Sequence, residues 1–136
     1  METQTSNYIF VYGTLRSDVG SKNELGVNIG KDMRKACTFV GKATIEGELF
    51  DAGDFPCLIQ GNSTNVVHGE LYEIYDKGII QQLDWFESNG NLYNRVVYPV
   101  ICEGVEYKAW VYFYMRDITD MVEVESGDYL EHLNNA

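Results

Sequence analysis

Histidine is almost missing from this chain. Only His68 and His132 occur among 136 residues, far apart, with no His-x-x-x-His pair. Zinc chemistry built on paired histidines is therefore not expected. Cysteine is scarce too: Cys37, Cys57 and Cys102 are odd in number and lack any Cys-x-x-Cys spacing. That argues against a disulfide framework or a zinc knuckle. The three are read as ordinary buried thiols in a reducing compartment. Positive charge is also short. Lysine and arginine together number 10 against 21 acidic residues, for a formal net charge of −11. Such a balance repels phosphate backbones and anionic lipid, so neither nucleic acid nor a membrane surface is expected as a partner. An anionic ligand would need a local positive field, such as oriented backbone amides in a turn.

Long apolar runs are absent as well. None approaches the roughly 20 residues of a membrane helix. The first residues, Met1 to Asn7, are polar and lack the basic start and apolar stretch of a signal peptide. A cytoplasmic location is expected. Without a secretion signal, Asn62-Ser63-Thr64 is read as a chance match to the glycosylation pattern. Other signatures fail too. Gly26 to Lys31 lacks the spacing of a phosphate-binding loop, and no Gly-x-Ser-x-Gly elbow or EF-hand loop occurs.

What is present is an apolar and aromatic chain, 45% hydrophobic and 13% aromatic. That suits one folded domain over residues 8–136 behind a short tail at 1–7. Tyr8 to Tyr12 reads as a strand that stops at Gly13. Ser21-Lys22-Asn23-Glu24 has the form of a capping box, with a helix toward Lys35. Phe39 to Phe50 reads as a strand or bent pair, with Gly41 and Gly47 as bulge positions. Asp51 to Pro56 is a loop of turn formers. Val66 to Tyr75 alternates: Val67, Gly69, Leu71 and Glu73 face one way, and Val66, His68, Glu70, Tyr72 and Ile74 the other. A helix from Asp76, its expected N-cap, to Phe86 places Ile79, Ile80, Leu83 and Phe86 on one side. Tyr93–Cys102 and Val105–Met115 form a hairpin around Glu103-Gly104. Both faces of its second strand are apolar, as in a barrel strand covered outside by a helix. The segment Ser126 to Leu130 docks as a turn or short helix. These elements predict an α+β fold: a small, mostly antiparallel β-barrel with a few peripheral helices.

Two segments carry chemistry. In Val11-Tyr12-Gly13-Thr14-Leu15-Arg16 a buried strand runs into a glycine turn. Successive amides there can converge on an anion, although an ordinary turn explains the same residues. In Leu83-Asp84-Trp85-Phe86-Glu87, followed by Tyr93-Asn94-Arg95, acids punctuate the apolar end of a helix. Glu87 falls at the edge of the apolar face. Desolvation there would raise its pKa, as a general acid/base needs. Spacing alone equally fits a solvated glutamate with Arg95 as a loose partner.

Together, in order, the segments resemble the γ-glutamyl cyclotransferase-like superfamily, in its AIG2-like branch of small proteins. The resemblance runs from about Tyr8 to Leu130. It rests on Tyr12 to Arg16, Gly47 to Asp51 with Phe55-Pro56, Val67 to Ile74, Leu83 to Glu87 with Tyr93 to Arg95, Trp110 to Tyr112, and Ser126 to Tyr129. It implies an active-site glutamate at Glu87 and a substrate-binding loop of Tyr12, Gly13, Thr14 and Leu15, with Arg16 and Tyr93 completing the substrate-binding set. The implied reaction turns a γ-glutamyl-amine or γ-glutamyl-amino acid into 5-oxoproline and a free amine, with no cofactor. The alternative is a non-catalytic small-molecule binding or interaction module on the same fold.

Overall fold

A computed structural model describes residues 5–20, 24–53, 55–60, 65–87 and 89–135. In chain order these form β1 (Tyr8–Val11), α1 (Glu24–Ala36), β2 (Cys37–Glu46), β3 (Glu48–Asp51), β4 (Pro56–Ile59) and β5 (Val66–Ile74). Then come α2 (Gly78–Phe86), β6 (Tyr93–Cys102), β7 (Val105–Tyr114), β8 (Val122–Glu123) and α3 (Tyr129–Asn134). Five strands close a barrel in the order β1-β5-β2-β6-β7. Four of its pairings are antiparallel, and a parallel bridge at Ile9 and Trp110 closes the ring. A separate small sheet has the order β4-β3-β8. This is the expected α+β barrel with peripheral helices.

The alternation along β5 and β7 divides the core. Phe10, Val67, Leu71, Ala109, Val111 and Phe113 share an inner cluster with residues of β2 and β6. Tyr72, Ile74 and Tyr112 face outward and are covered by Ile29 and Met33 of α1 and by Ile79 and Leu83 of α2. Strand β7 is thus apolar on both faces because both are covered. The β6–β7 turn at Glu103 and Gly104 takes positive φ at both residues, matching the strand twist. The β2–β5 register shifts between Phe39 and Gly41, a bulge at the expected glycine. All three cysteines are buried, free thiols.

Some local expectations are corrected. Helix α2 has Lys77, not Asp76, at its N-cap, with no side-chain cap bond. Asp76, one residue earlier, accepts from the amide of Gly78, the first residue of the helix. Strands β4 and β8 have only four and two residues, and β8 pairs with β3 from far along the chain. Periodicity has nothing to read in runs so short. At the N-terminus, Ser6 and Asn7 are bonded to the barrel rather than frayed. Trp110 Nε1 donates to the Ser6 carbonyl (3.1 Å), and the Ile74 amide donates to that of Asn7 (2.7 Å). Residues 1–4, the capping-box positions Ser21 to Asn23, and Asn62 to Thr64 lie outside the described residues. Among the described residues no helix is long and apolar enough to cross a membrane.

Candidate active site

The chain leaves β1 at Val11 and turns at once. Tyr12 is buried, and its hydroxyl donates to the Tyr112 carbonyl on β7. The Arg16 amide donates to the Gly13 carbonyl (3.0 Å), closing a turn over Thr14 and Leu15. Glycine at 13 is required by packing: a Cβ there would lie 2.4 Å from Cγ of Pro56. The turn is therefore pressed against the loop that enters β4. Pro56 in turn accepts at its carbonyl from the Tyr93 hydroxyl (2.9 Å), and Phe55 meets the Tyr93 ring edge-on. The amides of Thr14 and Leu15 have no acceptor among the described residues.

These segments border one cavity of about 630 Å³, within the range of small-molecule sites. Tyr12, Gly13, Thr14, Leu15, Glu87 and Tyr93 all line it. Helix α2 delivers Glu87 there as its C-cap residue, the amide donating to the Leu83 carbonyl. Leu83 is fully buried beneath the helix, so the next turn is fixed against the barrel. The Glu87 carboxyl has no hydrogen bond or ion pair among the described residues. No buried side-chain oxygen in that set lacks a partner, so its oxygens keep accessible surface, and Glu87 lines the cavity. Burial in the cavity wall desolvates it and pushes its pKa from the ordinary 4.5 to about 7. Burial, with the Glu87 charge as a lesser cause, pushes the hydroxyls of Tyr12 and Tyr93 up, well out of the titrating range. Both therefore stay neutral donors. The Cys57 thiol is likewise pushed up to about 11, first by burial.

The pairing of Arg95 with Glu87, one reading of the sequence, does not form. Arg95 Nε instead donates to Asp84 Oδ1 (2.7 Å) and Nη2 to Oδ2 (3.1 Å), while its guanidinium lies 4.1 Å over the Trp110 ring. Asp84 Oδ1 also accepts from the Tyr112 hydroxyl (2.7 Å). This network fastens the end of α2 to β6 and β7, leaving Glu87 unpaired. An Asp84→Asn variant should lose about 1–2 kcal/mol, since the pair is partly exposed and screened. Urea denaturation would read that as a lower midpoint at unchanged slope.

Arg16 does not line the cavity. It is buried below the turn and binds Asp18 on one side and Asp128 at the N-cap of α3 on the other. Several lining residues escaped the sequence: Phe86, Leu92, Tyr112, and Tyr129 and Leu133 of α3. For Tyr112 the outward face of β7 was a usable signal. For α3 only the Ser126 to Tyr129 motif was available, and its distance along the chain hides that Tyr129 and Leu133 border this cavity. Among the described residues, no group of three or more His, Cys, Asp or Glu side chains could hold a metal ion.

Residues 9–131 match the model of the family described as gamma-glutamyl cyclotransferase, AIG2-like. The chain belongs to this family. Among its relatives, the gamma-L-glutamyl-butirosin B gamma-glutamyl cyclotransferase of Niallia circulans is 33% identical over 91% of this chain and 76% of its own. The gamma-glutamylcyclotransferase family protein YtfP of Escherichia coli is 31% identical over 90% of this chain and 96% of its own. An AIG2-like protein of Mus musculus superposes with a TM-score of 0.69 at 26% identity, covering 92% of this chain and 90% of that one. In this AIG2-like chain, the loop after β1, the Phe55-Pro56 segment and the end of α2 surround a single cavity.

Proposed function

We propose that the protein is a γ-glutamyl cyclotransferase that converts a γ-glutamyl-amine or γ-glutamyl-amino acid to 5-oxoproline and the free amine or amino acid. Glu87 is its general acid/base. One observation carries this reading: an unpaired carboxyl with a pKa near 7 faces the cavity that the Tyr12–Leu15 loop also lines.

The α-amine of the glutamyl group attacks its own side-chain amide carbon. A C–N bond closes the five-membered ring, and the old amide C–N bond breaks. Amine and carbonyl belong to one molecule, so alignment in a shaped cavity lowers the barrier by on the order of 7–11 kcal/mol in well-oriented cases. Proton transfer is the remaining task. Glu87 takes a proton from the attacking amine and delivers one to the departing nitrogen, so the α-ammonium proton ends on the released amine. The unpaired Thr14 and Leu15 amides are the donors that meet the oxyanion of the tetrahedral intermediate. Tyr93, anchored on Pro56, shapes the wall between them. The name of the Niallia circulans relative, a cyclotransferase of gamma-L-glutamyl-butirosin B, extends the candidate substrates to γ-glutamyl groups on other amine-bearing molecules, which need the same chemistry.

The direct test incubates the purified protein with a panel of γ-glutamyl-amines and γ-glutamyl-amino acids and measures 5-oxoproline. Folded protein that turns over no member would overturn the proposal. The pH dependence is a second check. The base must be ionised, so kcat/KM should rise with pH along a limb centred near the Glu87 value of about 7. A limb centred near 4.5 instead would show that the carboxyl is not desolvated in the working enzyme.

A further inference from the structure

One buried acid takes no part in that chemistry. Glu70, on β5, is 1% exposed. Its Oε1 accepts from the Ser17 amide (2.6 Å) and the Tyr72 hydroxyl (3.0 Å), and its Oε2 from the Ser17 hydroxyl (2.6 Å). No ion pair reaches it among the described residues. A buried carboxyl group needs hydrogen-bond partners, and where those partners lie is informative.

Two of its three bonds go to Ser17. That residue lies just beyond the turn whose Thr14 and Leu15 amides are unpaired. Next to it, Arg16 is 3% exposed and tied to Asp18 and Asp128. Upstream, the Tyr12 hydroxyl is bonded to β7. The turn is thus anchored on both flanks, with Glu70 holding the downstream one from within the barrel wall.

We infer that Glu70 is a positioning residue: through Ser17 it fixes the loop that presents the Thr14 and Leu15 amides to the substrate. This inference rests on the cyclotransferase reading and adds a residue to it. Donors held in place before charge develops need no reorganisation as it forms, and that rigidity must come from supporting groups.

Three variants test it. Glu70→Leu removes the anchor. Its kcat should fall about 10–100-fold, short of the 10²–10³ for deleting an oxyanion donor outright. KM should change by less than about threefold, because the lost interaction is made in the transition state. Exchange of the Ser17 amide proton should speed up while the barrel strands keep their protection. Glu70→Gln should recover most of the lost rate. Its carbonyl can accept from the Ser17 amide and its NH₂ can donate to the Ser17 hydroxyl. Should Glu70→Leu fail to fold, Ser17→Ala decides: a severalfold lower kcat supports the inference, and a wild-type kcat overturns it. A wild-type kcat in Glu70→Leu, a loss that Glu70→Gln does not recover, or a loss that tracks global unfolding would each overturn it. Those results leave the wild-type reaction standing. Wild-type protein without turnover overturns the cyclotransferase reading and this inference together.

Discussion

A Glu87→Gln protein is expected to fold normally and to turn over γ-glutamyl substrates about 10²–10⁴-fold more slowly, the range for removing a general acid/base. Glutamine keeps the shape and polarity of the side chain but cannot shuttle the proton from attacking amine to leaving nitrogen. Substrate binding should change little, so the loss should fall on kcat and kcat/KM alike. Retention of the wild-type rate would remove Glu87 from the proposed mechanism.

The same variant has a signature in stability that needs no substrate. Burial raises the Glu87 pKa from 4.5 to about 7 in the folded protein. Between these values the folded state keeps a proton that the unfolded chain has released. Stability therefore falls as pH rises through that window, and the full penalty is present above about pH 7. Glutamine carries no charge at any pH. Glu87→Gln should match the wild type below about pH 4.5 and exceed it in thermal midpoint above pH 7. A difference that stays constant from pH 4 to 8 would show that the carboxyl is not desolvated. A site that loses stability when its acid is made neutral would contradict the burial argument altogether.

Gly69→Ala is expected to be the most damaging single methyl group in the barrel. The added Cβ would sit 2.2 Å from the Val11 carbonyl oxygen and 2.6 Å from the Phe10 ring. One neighbour is the backbone of β1, and the other is a fully buried ring packed in the barrel interior. Neither can swing away as the end of a flexible side chain would. Overpacking typically costs about 1–3 kcal/mol, and contact with fixed backbone puts this case at or above roughly 3. Differential scanning calorimetry should show a drop on the order of 10 °C. Because β1 leads directly into the Gly13 turn, activity should fall further than stability alone explains. A shift below about 2 °C would mean that β1 and β5 separate easily, contrary to the packing described.

The elements that were legible in the sequence share one property: their pattern repeats within the element. Leu83 and Phe86 recur at helical spacing, so α2 could be drawn, along with the edge on which Glu87 sits. Val67, Gly69 and Leu71 alternate with Glu70 and Tyr72, so both faces of β5 could be assigned, and Glu103-Gly104 marked the hairpin turn. What failed was either too short for a period, as in β4 and β8, or decided by geometry at one atom. The N-cap of α2 is an example: Asp76 had the right side chain and accepts from the Gly78 amide, but the helix starts one residue later than its pattern implied, with Lys77 at the cap.

The order of motifs in the sequence was enough to name the family and to single out Glu87 and the Tyr12–Leu15 loop. It also marked Arg16 as a substrate-binding residue and Arg95 as a loose partner of Glu87, and in the fold both are engaged elsewhere. Arg16 supports the loop from beneath, and Arg95 pairs with Asp84 and so leaves Glu87 free. Glu70 looked like one more polar residue on a strand, although it is a buried anchor. Periodicity records which face a residue takes relative to its own neighbours. It does not record what stands opposite. Only closure of the barrel brings the turn after β1, the Pro56 loop, the end of α2 and helix α3 around one cavity. That closure turns one acid among 21 into a desolvated carboxyl facing a ligand-sized space.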